Sequence, residues 1–166
     1  MTREQYERLT VPLRGRPRLL AAMKGLNRTL TLLCYVIYPV LLLYLYLEQD
    51  PRLLRCILVP AVSFAAVSIF RSLYHAPRPY ERGIPSLMEK KTKGHSFPSR
   101  HVFSAFMIAV TWWAVVPGIG AALAAASVLL GLIRVLGGVH DPRDVIAGAG
   151  IAVAAGLIGY CVVPGF

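Results

Sequence analysis

Histidines, arginines, a serine and an aspartate stand at the ends of apolar runs in this chain. They form three groups: Arg71 and Arg78; Ser99, Arg100 and His101; Arg134, His140 and Asp144. A charged side chain beside a membrane-length apolar run is costly, so these residues are candidates for a functional site. Arginine binds phosphate through paired N–H groups, and histidine can attack phosphorus or protonate a leaving oxygen. The three groups together predict chemistry on a phosphate.

His140 and Asp144 lie four residues apart, near the start of the last apolar run. Asp141 and Pro142 between them form a typical helix start, with aspartate as N-cap and proline at the first helical position. Asp144 in the first turn can then reach back to the imidazole, fix its tautomer and leave the other ring nitrogen free to attack. The alternative interpretation is that Asp144 only caps the helix and His140 is a loop residue.

Three arginines are candidate phosphate donors. Arg71 and Arg78 are seven residues apart, which is two helical turns, so both can lie on one face of a helix. Arg134 lies at the end of the fourth apolar run. Arginine suits this role because its planar fork matches phosphate and stays charged. The alternative, above all for Arg71, is a snorkelling side chain at a helix end.

The segment Pro98-Ser99-Arg100-His101 opens the third apolar run. Serine is a preferred N-cap, and free N–H groups at a helix start bind anions. His101 in the first turn is placed to protonate a leaving oxygen. The alternative interpretation is that the segment is a helix cap and nothing more.

Composition predicts a multi-pass membrane protein. The 166 residues are 56% hydrophobic and only 16% charged, with a mean hydropathy of +0.58, whereas a soluble domain carries about 25% charged residues. The apolar residues form five blocks, of which the third and fourth are short: Leu26–Leu47, Leu53–Leu73, Val102–Val116, Ile119–Leu136 and Val145–Val163. We predict an all-α, integral-membrane bundle of about five transmembrane helices.

The first 25 residues differ from the rest. They are basic, contain Pro12 and Pro17, and have no apolar core of the length that a signal peptide needs. Their apolar residues suggest two short amphipathic pieces on the membrane surface. We therefore divide the chain into a surface segment, residues 1–25, and a single transmembrane domain, residues 26–166.

Five crossings place all three groups of candidate residues on one face of the membrane, together with the N-terminus. Of the 18 Lys and Arg residues, only Arg52 and Arg55 fall on the opposite side. The count is still 11 to 2 without five arginines that can belong to the site: Arg71, Arg78, Arg100, Arg134 and Arg143. The positive-inside rule then predicts a site on the cytoplasmic face of a bacterial cytoplasmic membrane.

The net charge of +10 predicts that the protein binds anionic membrane lipids rather than nucleic acid. The basic residues avoid the apolar blocks and cluster in the N-terminal segment and in the loop after the second block, where they can face lipid headgroups. Cys34, Cys56 and Cys161 lie inside apolar blocks, and neither they nor the four histidines have metal-site spacing. We predict no metal and no cofactor.

The order and spacing of these groups resemble the type 2 phosphatidic acid phosphatase superfamily over about residues 53–163. That family has Lys-x6-Arg-Pro, then Pro-Ser-Gly-His, then Ser-Arg-x5-His-x3-Asp. Three positions depart from the pattern: Arg71 replaces lysine, Arg100 replaces glycine and Ile133 replaces serine. The five-helix chain is also shorter than the six-helix form common among bacterial members.

The resemblance implies metal-free phosphoryl transfer through a phosphohistidine. His140 would be the nucleophile, Asp144 would orient it, and His101 would protonate the leaving group and then activate water. The remaining candidates would hold the phosphoryl oxygens, with Arg100 as an added cation: Arg71, Arg78, Ser99, Arg100 and Arg134.

The activity that the resemblance implies is that of a lipid phosphate phosphatase. Among its substrates we favour undecaprenyl diphosphate, with phosphatidylglycerophosphate or phosphatidate on the cytoplasmic leaflet as the alternative. Soluble relatives that bind vanadate and oxidise halides are disfavoured by the apolar helices. A non-catalytic lipid-phosphate-binding or transport protein is a further alternative, although the chain lacks the repeats or broken helices typical of transporters.

Overall fold

The computed structural model describes residues 2–88 and 93–162, and its regular structure is entirely helical there. The helices are α1 (Arg3–Arg14), α2 (Pro17–Leu47), α3 (Leu53–Leu73), a 3₁₀ helix (Pro79–Arg82), α4 (Arg100–Val115), α5 (Pro117–Leu136) and α6 (Pro142–Leu157), which continues as a π-helical turn (Ile158–Val162). Four of them are long and apolar enough to cross a membrane: α2, α3, α5 and α6 with its π turn. The predicted all-helical membrane bundle is confirmed.

Helix α4 has 16 residues and lies at the centre of the bundle. It packs against α2, α3, α5 and α6, with Phe103 and Met107 facing α3 and α6, and Trp112 facing α2. Large apolar side chains elsewhere point outward, among them Tyr35, Val62 and Leu73. An apolar exterior around an apolar core is expected of a bundle whose surroundings are lipid.

Glycines allow α6 to approach α4 closely. A Cβ atom on Gly148 would lie 2.7 Å from the carbonyl oxygen of Ser99, and one on Gly156 would lie 2.3 Å from Cγ1 of Val110. Small residues at such crossings let two membrane helices approach closely, at Gly148 backbone against backbone. The first of these contacts lies at the start of α4, so the crossing sets the position of the Ser99 main chain.

The predicted boundary between residues 25 and 26 does not coincide with a helix end. Helix α2 begins at Pro17, nine residues before the predicted start at Leu26, and continues for 31 residues. Pro17 suits the first helical position, and no proline interrupts the next five turns. Met23 packs with Met88, Ile133 and Val139, so the second amphipathic piece forms the first turns of a membrane helix.

The first amphipathic piece is a separate helix, α1, which packs against the turn between α5 and α6. Its hydroxyl-bearing residues Tyr6 and Thr10 are fully buried, and the Tyr6 hydroxyl donates to the carbonyl oxygen of Leu136 at 3.0 Å. That turn leads directly to His140.

Two parts of the sequence prediction lie outside the described residues: Lys90 and Lys91 of the basic loop, and Val163 at the end of the last block.

Candidate active site

The start of α6 holds His140 and Asp144 together, as the sequence predicts. Asp141 is the N-cap, Pro142 follows it, and the Asp141 N–H donates to Oδ2 of Asp144 at 3.2 Å. This bond folds the carboxylate back toward the residues before the helix. His140 Nδ1 consequently lies 3.5 Å from the same Oδ2, and both side chains are buried.

Ser96 is the site residue that sequence reasoning missed. Its hydroxyl donates to Oδ2 of Asp144 at 2.5 Å and lies 3.4 Å from Nδ1 of His140. Ser96 is 48 residues from Asp144 in the chain, so no local periodicity connects the two. Its position two residues before Pro98 was the one available signal.

Arg71 is engaged with the chain around Ser96. This buried guanidinium donates to the carbonyl oxygens of His95, Ser96 and Pro98, and the Nδ1–H of His95 donates back to the carbonyl oxygen of Arg71 at 2.5 Å. Arg71 therefore holds the segment before α4 against the end of α3. In this structure it serves first as a clamp for the loop, in addition to placing positive charge near the site.

Arg78 does not share a helix face with Arg71, contrary to the two-turn spacing argument. Helix α3 ends at Leu73, and Arg78 lies in the loop beyond it, where Pro77 and Pro79 exclude a continuous helix. Arg78 is nevertheless buried, and its Nε donates to the carbonyl oxygen of Gly94 at 3.1 Å. The loop thus brings Arg78 back toward the site.

Glu81 closes this loop. Its Oε2 accepts the main-chain N–H groups of Arg78 and Gly94, both at 2.8 Å. These two bonds favour the ionised carboxylate and hold the pKa of Glu81 below its ordinary value. A charged Glu81 therefore joins the loop segments on either side of it.

Arg134 and Ser99 present buried donors. Arg134 is 2% exposed, and within residues 2–88 and 93–162 neither its Nε nor its Nη1 has a hydrogen-bond partner; the same holds for the Ser99 hydroxyl. Ser99 is the N-cap of α4, as predicted, but its side chain makes no capping bond. Its N–H donates to the carbonyl oxygen of Asp144 at 2.8 Å, and Arg134 O accepts from the N–H of His140 at 3.3 Å. These main-chain bonds connect both residues to the histidine–aspartate pair.

His101 and Arg100 stand at the end of an apolar cavity of about 620 Å³ between α2, α3 and α4. Tyr38, Phe64 and Met107 are among its walls. Arg100 is exposed, and its guanidinium carbon lies 5.7 Å from the centre of the Phe64 ring, which is within cation–π range. The first turn of α4 thus borders the cavity with a cation and an imidazole.

Burial lowers the pKa of His140 below its ordinary value of 6.5, because the charged ring loses hydration. The nearby carboxylate of Asp144 opposes this effect, while the positive charges of Arg78 and Arg134 add to it. The ring is therefore neutral at pH 7. A neutral imidazole has a lone pair on one nitrogen, which a nucleophile requires.

Ile133, at the position of the family's serine, packs in the apolar cluster with Met23, Met88 and Val139. This position therefore supplies no phosphate donor.

Among the described residues, no three side chains of His, Cys, Asp or Glu come together in a group able to hold a metal ion.

The sequence model of the PAP2 superfamily matches residues 52–166, which is more than half of the chain. The chain therefore belongs to the PAP2 superfamily, and the resemblance seen in its motifs is confirmed. No curated protein gives a significant match.

The fold is shared with known structures, among them two that are similar to this chain over most of its length. LpxE from Aquifex aeolicus has a TM-score of 0.72 and 26% identity, with 94% of this chain and 92% of that chain covered. The transmembrane PAP2-type phosphatidylglycerolphosphate phosphatase from Bacillus subtilis has a TM-score of 0.68 and 20% identity, with 94% and 83% covered. This chain therefore matches a membrane bundle of PAP2 type over nearly its whole length.

Proposed function

We propose that this protein is an integral-membrane lipid phosphate phosphatase that works through a phosphohistidine at His140. One observation carries the proposal: among the described residues, buried N–H and O–H donors of Arg134 and Ser99 have no partner, and the main chains of these two residues are bonded to His140 and Asp144. Buried donors without partners are costly. A phosphoryl group, whose oxygens accept several charge-assisted hydrogen bonds, satisfies them and comes within reach of His140.

The reaction has two steps, and His101 supplies a proton in the first and takes one back in the second. In the first, Nε2 of His140 forms a bond to phosphorus, the bond from phosphorus to the lipid oxygen breaks, and His101 gives its proton to that oxygen. In the second, water attacks phosphorus, His101 takes the proton of the water, and the bond to Nε2 breaks. Asp144 stabilises the charged ring in between, and phosphate leaves.

The phosphoryl oxygens are held mainly by Arg134 and Ser99, whose donors are available. Arg71 and Arg78 add positive charge while they also fix the loop that carries Ser96. Arg100 stands further out, at the end of the apolar cavity, where it can meet an anionic headgroup. Charge that develops on the oxygens is thereby met by fixed cations in a site of low polarity.

The apolar cavity supports a lipid as the carrier of the phosphate, because its walls suit a hydrocarbon tail and its end bears His101. We favour undecaprenyl diphosphate, with phosphatidylglycerophosphate or phosphatidate of the cytoplasmic leaflet as the alternative. The activity named for the Bacillus subtilis neighbour supports this alternative. The basic N-terminal segment and loop suit a cytoplasmic face and anionic lipids as partners.

The test is phosphate release by the purified protein from a panel of these lipids. Wild type should release phosphate from at least one of them, in the presence of a chelator and with inhibition by vanadate. His140→Ala should abolish release, and His101→Ala should lower it at least about a hundredfold, the scale of lost acid–base help. Tight binding of a lipid phosphate without turnover would instead indicate a non-catalytic binding or transport protein. Restoration by a divalent ion after chelation would contradict the metal-free reaction.

A further inference from the structure

Ser96 lies between His140 and Asp144, outside the three sequence motifs. The Ser96 side chain is 1% exposed. Its Oγ is 2.5 Å from Oδ2 of Asp144 and 3.4 Å from Nδ1 of His140, whereas Nδ1 and Oδ2 are 3.5 Å apart. A direct N–H···O bond measures about 2.7–3.2 Å. The carboxylate therefore makes its shortest contact with the serine, while the imidazole stands at a similar, longer distance from both of them.

The chemistry of a hydroxyl group sets the direction of these contacts. Serine has one hydrogen to donate and two lone pairs that accept. Because its hydrogen points to the ionised carboxylate of Asp144, Ser96 Oγ faces His140 as an acceptor. The hydrogen of that second contact must then come from Nδ1, which leaves the lone pair of the neutral ring on Nε2. Long contacts of this kind in a ligand-free site often tighten when substrate binds.

We infer that Ser96 is a positioning residue: it bridges His140 to Asp144, fixes the tautomer with the hydrogen on Nδ1 and holds the carboxylate at 3.5 Å from the ring nitrogen. The inference rests on the proposed function in that it makes Nε2 of His140 the attacking atom. Ser96 acts through His140 and Asp144 and has no contact with the phosphate in this scheme.

The surroundings hold the serine in this place. Its N–H donates to the carbonyl oxygen of Ala76 at 3.0 Å, and its own carbonyl oxygen accepts from Nη1 of Arg71 at 3.3 Å. The Asp141 N–H also donates to Oδ2 of Asp144, at 3.2 Å. Removal of the hydroxyl would take away the shortest bond to this oxygen and allow the carboxylate to close on Nδ1.

Closer contact with Asp144 would change the protonation of the ring in a known direction. The charged groups that face His140 are Asp144 from α6, Arg134 from α5 and Arg78 from the loop after α3. The two arginines disfavour the charged ring, and the carboxylate favours it. A carboxylate in direct contact should therefore raise the pKa of His140 in Ser96→Ala.

The first experiment is the pH profile of kcat/KM for phosphate release by wild type, Ser96→Ala and Ser96→Thr. The acid limb of Ser96→Ala should move upward by about half a pH unit or more. Ser96→Thr retains a hydroxyl group and should keep the wild-type limb. A variant that only lost folded protein would release less phosphate at every pH, with the limb in its original place. A Ser96→Ala limb that coincides with that of wild type would overturn the inference.

A second arm tests whether Ser96 acts through Asp144. The effects of two interacting residues are not additive. The double variant Ser96→Ala/Asp144→Asn should therefore have its acid limb at the same pH as Asp144→Asn alone. An equal upward movement in both backgrounds would contradict the bridge. If Ser96→Ala does not fold, Ser96→Cys takes its place, since a thiol is a weaker donor than a hydroxyl.

A third measurement does not depend on turnover. The chain has four histidines, so ¹⁵N-histidine NMR in detergent can be assigned to His140 with a His140→Gln variant. Wild type should show a neutral ring with its hydrogen on Nδ1, and Ser96→Ala should titrate at higher pH. If these NMR results hold but no lipid is hydrolysed, the proposed function fails and the bridge stands. Hydrolysis with the hydrogen on Nε2 would overturn the bridge and Nε2 as the attacking atom, and would leave the phosphatase activity standing.

Discussion

Arg134 places a guanidinium in the interior of the bundle, at the last turn of α5. Its carbonyl oxygen accepts from the turn that carries His140, so its position and that of the histidine depend on the same few bonds. Two of its nitrogen atoms have no hydrogen-bond partner in the part of the chain that the structure describes. A guanidinium in this position contributes little to the stability of the ligand-free protein. It stabilises a transition state that places negative charge beside it much more strongly.

Arg134→Gln should therefore lower phosphate release by about 100-fold or more, the effect of one lost donor to developing charge. The matched control is Arg8→Gln in α1, at the same end of the bundle, where the side chain is 79% exposed and pairs only with the exposed Glu4 in the part of the chain that the structure describes. Its effect should stay below about twofold. Both are measured as initial rates in detergent. Equal losses in the two variants would argue against a phosphate contact by Arg134.

At the scale of the helices, the crossing of α6 over α4 fixes the relation between Asp144 and Ser99. Gly148→Ala would place a methyl group 2.7 Å from the Ser99 carbonyl oxygen, so one helix must shift. We expect a loss of stability of about 1–3 kcal/mol, together with reduced activity in the folded fraction. Thermal unfolding in detergent and phosphate release measure the two effects.

Gly150→Ala is the control for this change. It lies two residues further along the same helix, and a Cβ atom there meets nothing within 4 Å among the described residues. Alanine is the better helix former by up to about 1 kcal/mol, so stability should stay equal or rise. A Gly148→Ala variant as stable and as active as Gly150→Ala would show that the two helices can separate without consequence for the site.

The sequence predicted helices well where local signals are strong. Asp141 and Pro142 mark the start of α6 because a cap and a proline act within one turn. The same local reasoning was wrong for Arg78, since the helix that would carry it ends at Leu73. It also missed Ser96, whose partners are 44 and 48 residues away and are met only through the folded loop. Residues within one turn of each other were thus predictable, whereas contacts across the loop were not.

At the scale of the whole molecule, the site residues of α3, α4, α5 and α6 meet at one end of the bundle, as five crossings predict. Which side of the membrane this end faces is testable with single cysteines in a background that lacks Cys34, Cys56 and Cys161. Lys93→Cys lies on the site side, and Glu48→Cys lies in the turn between α2 and α3; both positions are exposed. With the site in the cytoplasm, an impermeant thiol reagent on intact cells should label the Glu48 variant and spare the Lys93 variant. The reverse pattern would place the site outside and favour recycling of an exported lipid carrier.

The short central helix has a consequence for the membrane itself. Helix α4 has 16 residues, which is about 24 Å at 1.5 Å per residue. The hydrocarbon core of a typical bilayer is about 30 Å thick. Helix α4 begins at Arg100, directly after its Ser99 cap, so we expect the floor of the site to lie below the plane of the phosphates of neighbouring lipids. A substrate must then sink by several ångströms, or the leaflet must thin around the protein.

Bilayer thickness should therefore set the rate at which a headgroup reaches the site. In vesicles of phosphatidylcholine with 14-carbon chains, kcat/KM for a fixed substrate should exceed that in vesicles with 22-carbon chains by several-fold. The same preparations returned to detergent should have equal rates, since a micelle imposes no fixed thickness. A higher rate in the thicker vesicles would rule out this dependence. Hydrophobic mismatch would in this way make the turnover of the enzyme depend on bilayer thickness, with the highest rate where the surrounding lipids have the shortest chains.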